Sequence, residues 1–312
     1  MPSTKVDSKS TSTPATPAPA ADEPIDRLSV LLQRFRVRAT LWHHGPLCGR
    51  VRFEARPGRA FLHVLRRGTL RVRHRAAAGL PPEVVLREAS VLLYSRPAFH
   101  EFLHPPREGA DYTCATLDFD GAGHHPIVQA LPPLVCVPLA RIEGLQPALD
   151  LLFAETDRIR CGSRVLADRL FEVVLIQLLR WILDHPDEVG VSGGMLAGLS
   201  DARLARALVA MHRAPAQAWT LAALAAEAAM SRSAFAAAFK RATRLAPAAY
   251  LTNWRLTLAT SLLRSGQPLK QVADEVGFAA SSSLSRAFKQ RYGLCPRVWV
   301  GQGFPPGQDR SG

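Results

Sequence analysis

The chain of 312 residues carries 39 Lys+Arg against 26 Asp+Glu, a formal net charge of +13, and 47% of its residues are hydrophobic. This composition excludes a wholly disordered or fibrous protein, and the length suggests roughly two or three domains. Such an excess of positive charge indicates a polyanionic partner, nucleic acid more often than a membrane surface. The five cysteines have neither metal-site nor redox spacing, which favours a reducing cytoplasm.

The first 140 residues divide into a tail and a β-rich region. Residues 1–24 are rich in Ser, Thr, Pro and Ala, and we predict a disordered tail because such a segment buries too little apolar surface to offset its ordering entropy. Between residues 25 and 140, apolar and polar residues alternate in short runs, the pattern of half-buried strands in a sandwich or small barrel. The predicted strands are 48–54, 60–64, 69–73, 84–86, 91–94, 112–119 and 134–138.

Residues 141–185 change to a helical period, and Asp184-His185-Pro186 ends the second helix because the residue before a proline avoids the helical conformation. This segment either packs on the strands or forms a dimer seam. Residues 186–199 have the Gly-rich composition of a linker. Residues 200–300 are predicted to be helical, and residues 301–312 to be a flexible tail.

The basic charge is concentrated in the helical region. Residues 201–300 contain 14 Lys+Arg and 4 Asp+Glu, a net charge of +10 within about a third of the chain. The surface that faces a polyanion is therefore expected here. No apolar run reaches the ~20 residues of a membrane-spanning helix, so no membrane partner is expected.

The same region contains an internal repeat. Leu221–Met230 aligns with Leu269–Phe278, 48 residues further on, and Phe235–Lys240 then aligns with Leu284–Lys289. Tyr250 corresponds to Trp299 in the same register. Each copy has two short helices with a tight break between them, the pattern of a helix-turn-helix unit.

Local features of the repeat predict its geometry. Ser231 and Ser281 are the expected N-caps of the second helices, and Gly277 is expected to adopt positive φ, with Ala229 in its place in the first copy. One continuous helix is predicted over Tyr250–Arg264. The expected core residues of the two units are Leu221, Leu224, Phe235 and Phe239, and Leu269, Val272, Leu284 and Phe288.

These residues carry a family resemblance. The run Gln271-Val-Ala-Asp-Glu-Val-Gly-Phe-Ala-Ala-Ser-Ser-Ser-Leu-Ser-Arg-Ala-Phe-Lys289, followed by Tyr292-Gly-Leu-Cys-Pro296, is similar to the signature of the AraC/XylS regulators. The resemblance implies seven helices, two helix-turn-helix units on double-stranded DNA and a linking helix. It also implies that the protein binds promoters, usually as an activator that contacts RNA polymerase.

The resemblance also assigns DNA-binding residues. The base-reading positions fall on Arg232, Ser233, Ala236 and Ala237 in the first unit, and on Ser281, Ser282, Ser283, Ser285 and Arg286 in the second. Alanine can touch a thymine methyl group but makes no bidentate hydrogen bond, so Arg286 is the strongest candidate for base reading; a phosphate contact or an intradomain ion pair is its alternative. Lys240, Arg241 and Lys289 complete the predicted interface, and phosphate contact or a solvated position is favoured over base reading for Lys240 and Lys289.

The β-rich region resembles the cupin-type sensor domain of such regulators. The resemblance rests on His43–Gly49, Phe61–Val72 and Glu88–His100, and it implies a small β-barrel with a ligand pocket. His43, His63 and His100 are the candidate effector-binding residues, with buried, hydrogen-bonded histidines as the alternative. No metal or other cofactor is expected, because the cupin glutamate and one histidine are missing and His43, His44 and His104 could replace them only in an unusual geometry. His124-His125 is expected to be surface.

We therefore predict an α+β protein of two domains, a cupin-like N-terminal β-barrel with a helical segment and a C-terminal all-helical double helix-turn-helix domain. The predicted function is a cytoplasmic, homodimeric, sequence-specific transcription regulator, controlled by a small effector, and not an enzyme. The alternatives are a metal-dependent cupin enzyme with an appended DNA-binding module, and a regulator that needs no ligand.

Overall fold

The computed structural model describes residues 25–47, 49–77, 79–104 and 110–301. The predicted N-terminal tail, the C-terminal tail beyond Gly301 and Cys48 lie outside these residues. The four described cysteines are free thiols. No helix of the described residues has the length and apolar character needed to cross a membrane.

The N-terminal half contains two antiparallel sheets, ordered β1-β8-β3-β6-β9 and β2-β7-β4-β5. Their strands are β1 (Val37–Leu47), β2 (Gly49–Phe53), β3 (Arg59–Arg67), β4 (Leu70–His74), β5 (Glu83–Leu86), β6 (Ser90–Tyr94), β7 (His100–His104), β8 (Ala110–Phe119) and β9 (Leu134–Pro138). The seven predicted strands are confirmed, and β1 and β7 were missed. Gly45 and Pro46 made β1 resemble a loop, but β1 is an edge strand, where proline is tolerated.

The two sheets face each other across a core of their own. Its buried members are Phe53, Phe61, Leu65, Leu70, Val72, Leu86, Leu92, Tyr94, Ala98, Phe102, Ala110, Tyr112 and Cys114. The sheets remain two separate hydrogen-bonded layers, so the predicted barrel is an open sandwich. The predicted α+β class is otherwise confirmed.

Helices cover the other face of the five-stranded sheet. The N-terminal half holds α1 (Ser29–Arg34), α2 (Pro126–Ala130), α3 (Gln146–Asp157) and α4 (Ser163–Asp184). Alternate residues of the central strand β3, such as Leu62 and Val64, join Phe171 and Leu178 of α4 in a second core. The side chains that the period-2 pattern of β3 places on one face of the sheet therefore pack against those that the 3.6-residue period of α4 places on its buried face. Helix α4 ends at Asp184, before Pro186, as predicted.

The C-terminal half is helical. Its helices are α5 (Met195–Ser200), α6 (Ala202–Arg213), α7 (Leu221–Glu227), α8 (Arg232–Thr243), α9 (Pro247–Arg264), α10 (Leu269–Val276), α11 (Ser281–Tyr292) and α12 (Pro296–Gly301). Residues 202–301 thus hold the seven helices implied by the resemblance. Helix α5 lies partly within the stretch predicted as a linker. Its Leu196 and Leu199 are buried in the same core as Phe171 of α4. The exact domain division stays a prediction.

The two predicted helix-turn-helix units are α7–α8 and α10–α11. Ser231 is the N-cap of α8 and its hydroxyl accepts a hydrogen bond from the Ala234 amide, as predicted. The prediction for Ser281 is wrong: Ala280 is the N-cap of α11 and provides no side-chain bond. The sharp turns contain Ala229 at φ 49° and Gly277 at φ 83°, which confirms the correspondence between the two copies.

Six of the eight residues expected in the cores of the two units are buried. Leu224, Phe235, Phe239, Val272, Leu284 and Phe288 are buried. Leu269 is half-buried against the core, and Leu221, the first residue of α7, is 42% exposed. The helical period therefore identified the buried face but not where it ends.

The N-terminal half contacts the helical half through α1 and the segment around residue 125. The Phe35 ring lies edge-on to Trp254 of α9 with centroids 5.5 Å apart, and His125, fully buried, donates from Nε2 to the Phe35 carbonyl. His124 lies 5.5 Å from the Tyr292 ring. The expectation that these two histidines are surface residues is thus wrong, because they pack in the contact between the two halves.

Candidate nucleic-acid interface

The solvent face of each second helix carries the residues predicted to contact DNA. On α8, Arg232, Ser233, Ala237, Lys240 and Arg241 are exposed and Ala236 is half-buried. On α11, Ser282, Ser283, Arg286 and Lys289 are exposed, while Ser281 and Ser285 are half-buried. The structure therefore places all twelve predicted positions on two helix faces that other residues leave accessible.

The basic side chains of these two faces have no acidic partner among the described residues. Arg232, Lys240, Arg241, Arg286 and Lys289 make no ion pair or hydrogen bond through their side chains with any described residue. The alternative that Arg286 is held in an intradomain ion pair therefore finds no support among the described residues. These charges remain free to contact phosphates or base edges.

Other cations of the same half have structural roles. Arg255 of α9 donates to the carbonyls of Pro215 (2.7 Å) and Gln217 (3.0 Å). Arg244 donates to the Ser192 carbonyl at 2.9 Å. The charge count alone could not separate these arginines from the free ones, because each makes its bonds to backbone atoms distant in sequence.

Matching aromatic pairs hold the two second helices. In the first unit, Phe239 of α8 lies edge-on to Tyr250 of α9, with ring centroids 5.4 Å apart and an interplanar angle of 88°. In the second unit, Phe288 of α11 meets Trp299 of α12 at 5.5 Å and 79°. The aligned positions thus make the same contact, so each outward face is fixed by an equivalent anchor.

Two of the three predicted effector-binding histidines form a closed hydrogen-bond chain between the sheets. Because His100 Nδ1 lies 3.0 Å from the Ala98 carbonyl, it carries the proton and donates. His100 Nε2 then accepts from His63 Nε2 at 2.9 Å, and His63 Nδ1 accepts from the Cys114 thiol at 2.7 Å. All four ring nitrogens are therefore occupied.

Burial keeps the hydrogen-bonded side chains of His63, His100 and Cys114 uncharged. Burial, and then the proximity of His100, lower the pKa of His63 well below its usual value, and burial lowers the pKa of His100 to about 3. Burial also raises the pKa of the Cys114 thiol. These three hydrogen-bonded side chains suit a structural role in the inter-sheet core.

These residues do not fit a metal ion. The lone pairs that would coordinate it are used within the chain, and the described residues contain no group of three His, Cys, Asp or Glu side chains positioned to hold one. His63, His100 and Cys114 therefore form a hydrogen-bonded part of the core rather than a ligand set.

His43, the third predicted effector-binding residue, lies elsewhere. It is half-buried on β1, its Nε2 donates to the Gly45 carbonyl at 3.2 Å, and its ring lies 5.3 Å from that of Tyr112. Tyr112 in turn stacks on His104 with centroids 5.4 Å apart. Sequence reasoning gave Tyr112 no role and His104 only a metal-binding one, because no motif marks either.

Comparison with known families matches both halves of the chain. A family described as Cupin matches residues 26–184, about half of the chain. A family described as Helix-turn-helix domain matches residues 224–302. The second match covers the second unit and the first unit from Leu224 of α7 onwards.

Curated relatives are transcription regulators. A putative AraC-like transcription regulator of Streptomyces antibioticus is 42% identical over 174 residues, which cover 54% of this chain and 56% of the relative. The HTH-type transcriptional regulator AlkR of Acinetobacter baylyi is 33% identical over 177 residues, 55% and 57% of the two chains. The chain thus spans little more than half the length of these relatives.

Among solved structures, the DNA-binding domain of AdpA, described as a global transcriptional factor in complex with a target DNA, is 26% identical with a TM-score of 0.30. That match covers 31% of this chain and 89% of the AdpA chain.

Proposed function

The chain belongs to the cupin family and carries a helix-turn-helix domain of the AraC type, and from this we propose that it is a sequence-specific DNA-binding transcription regulator. The observation that carries the proposal is the pair of second helices, α8 and α11. Both are anchored by the same aromatic contact, and both present to solvent cations that have no acidic partner within residues 25–47, 49–77, 79–104 and 110–301.

The proposed mode of binding places α8 and α11 in successive major grooves. Helix α9 joins the two units, and its 18 residues span about 27 Å at 1.5 Å per residue. Successive major grooves on one face of B-DNA are roughly 34 Å apart, so a single rigid helix separates the units on the required scale. Free cations would supply most of the affinity through phosphate contacts.

The assignment of individual contacts follows from side-chain chemistry. Arg286 can make a bidentate pair with guanine, whereas Ala236 and Ala237 can contribute only apolar contacts. Ser281, Ser282, Ser283 and Ser285 can bond to phosphate or to base edges. We assign direct reading chiefly to α11, and phosphate anchoring to Arg232, Lys240, Arg241 and Lys289.

Selection from a random duplex library tests the proposal. Full-length protein is expected to enrich a defined sequence, and its affinity for that sequence is expected to fall steeply and log-linearly with salt. Enrichment of no sequence over random competitor would contradict the proposal.

A dimer is proposed through α3 and α4. One face of these helices packs under the sheet, while an apolar set remains exposed: Leu151, Ile159, Val165, Leu166 and Val173. Exposed apolar side chains on α3, on α4 and in the connection between them favour self-association. Sedimentation of Val165→Glu is expected to show monomer where the parent chain shows dimer, whereas Val85→Glu, on a sheet strand, is expected to leave the dimer intact.

The remaining parts of the proposal concern control. A small effector bound in the cupin domain would favour the arrangement of the dimer that fits its operator. As an activator in the cytoplasm, the protein would contact RNA polymerase. The curated relatives are regulators, which supports a regulatory rather than an enzymatic role for the cupin domain.

A further inference from the structure

The inter-sheet core contains two kinds of buried polar side chain, and the difference between them locates a candidate binding site. His63, His100 and Cys114 satisfy one another. The half-buried His74 likewise donates from Nδ1 to the Pro81 carbonyl and accepts from the Tyr94 hydroxyl at 2.7 Å. These side chains complete their hydrogen bonds within the protein.

His104 and Tyr112 do not. His104 is 7% exposed and Tyr112 is 1% exposed, yet both ring nitrogens of His104 and the Tyr112 hydroxyl find no hydrogen-bond partner among the described residues. Buried polar atoms are almost always paired, and an unpaired one destabilises the fold. Three such atoms on two stacked rings indicate a place where an external group completes the bonds.

The surroundings of the pair define what that group can be. Phe102 lies edge-on to both rings, at 6.3 Å from His104 and 5.3 Å from Tyr112, so one side of the pair is apolar. His43 stands at the side of Tyr112 and keeps Nδ1 free as an acceptor, because its Nε2 donates to Gly45. The three side chains together offer a phenol donor, an imidazole donor and imidazole acceptors.

All three groups are uncharged near neutral pH. Burial, and then the neighbouring His43, lower the pKa of His104. Burial also lowers the pKa of His43 and raises that of Tyr112. A charged ligand would have to leave water without a counter-charge from these side chains, which is costly. An uncharged ligand with hydroxyl or carbonyl oxygens avoids that cost.

We propose that His43, His104 and Tyr112, at one end of the inter-sheet core, bind a small uncharged organic molecule through its hydroxyl or carbonyl oxygen. The proposal rests on the proposed function only in naming this molecule as the effector. Of the three histidines predicted from the sequence, it retains His43 and replaces His63 and His100, whose nitrogens are occupied, with His104 and Tyr112.

A matched pair of variants tests the unpaired hydroxyl in the free protein. Tyr112→Phe removes a hydroxyl without a partner and is expected to leave Tm unchanged or raised. Tyr94→Phe removes a hydroxyl that donates to His74, and a fall in Tm of about 2–5 °C is expected. An equal fall in both variants would show that the Tyr112 hydroxyl is already bonded, and would overturn the proposal.

Cyclohexanol is the binding probe, and cyclohexanecarboxylate is its charged analogue. In full-length protein with labelled tyrosine and histidine, cyclohexanol is expected to shift the Tyr112 and His104 resonances saturably, and to bind Tyr112→Phe about tenfold more weakly. No shift, equal binding to both proteins, or preferential binding of the carboxylate would overturn the proposal. Neither experiment contains DNA, so their failure is distinguishable from a failed duplex selection.

Discussion

The two helix-turn-helix units have matching interiors and different outward faces. Phe239 on Tyr250 and Phe288 on Trp299 make the same edge-on contact, with centroid distances of 5.4 and 5.5 Å. On the solvent side, Ala237 of the first unit stands where the second has Arg286. The helix starts also differ, because Ser231 caps α8 whereas α11 begins after Ala280.

This difference separates what holds a unit from what the unit reads. The aromatic anchor sets the position of the second helix, so both copies need it equally. The outward face is free of packing demands and can differ without cost to the fold. Equal effects are therefore expected for substitutions inside the units, and unequal effects for substitutions outside.

The anchors are expected to give the largest effect. Phe239→Ala and Phe288→Ala each remove a fully buried ring and should each lower the free energy of unfolding by about 3–5 kcal/mol. Urea denaturation followed by helical circular dichroism measures both. A cost near zero in one unit alone would show that the two interiors are not equivalent.

The turn of the second unit comes next. A Cβ at Gly277 would lie 2.5 Å from the Ala216 Cα, and its φ is +83°. Gly293, at φ +78°, has nothing within 4 Å of its own Cβ position. Gly293→Ala should cost about 1–2 kcal/mol through left-handed strain alone, and Gly277→Ala should cost more through its overlap with backbone.

Thermal unfolding of the two glycine variants makes the comparison directly. Because the φ values are close, the difference in Tm reports the contact with Ala216. Equal Tm values would mean that the segment around Ala216 moves aside without cost.

Base reading by the second unit gives the next effect. Arg286→Ala should cost roughly 1–3 kcal/mol of binding to the selected duplex and relax the preference at one base pair. Lys289→Ala, on the same helix, should weaken binding about equally for all sequences and reduce the salt slope by about 1. Competition binding against single-base variants of the duplex distinguishes them, and an unchanged preference in Arg286→Ala would remove its reading role.

The helix caps give the smallest effect. Ser231→Ala should lower the free energy of unfolding by about 1 kcal/mol, because the Ala234 amide loses its acceptor. Ser281→Ala should change it by less than about 0.5 kcal/mol, since this hydroxyl makes no capping bond. Urea titration of the two variants checks the asymmetry, and similar losses would show that Ser281 caps α11 after all.

Short-range patterns predicted the repeat well and the packing around it less well. The helical period and the positive φ at Ala229 and Gly277 depend on neighbours in sequence, and both could be read from it. The exposure of Leu221 and the cap at Ala280 depend on where a helix begins to contact its partner. That boundary is set by tertiary packing, and the helical period of the sequence does not indicate where the tertiary contact begins.

The histidines show the same limit more clearly. His63 and His100 were candidate ligand-binding residues, but the bond between them and the bond from Cys114 to His63 exist only because β3, β7 and β8 converge. His125 lies in a Gly-rich stretch and was expected on the surface, yet it is buried against Phe35. Whether a buried nitrogen is satisfied cannot be known until its partner strand is in place.

Major-groove protection of the selected duplex by full-length protein tests the central claim most directly. For each protomer of the proposed dimer, the two units joined by α9 should protect two tracts on one face of the duplex, about 10 base pairs apart. Arg286→Ala should weaken one tract and leave the other. A single protected tract at saturation, or loss of both tracts together in the variant, would contradict the account.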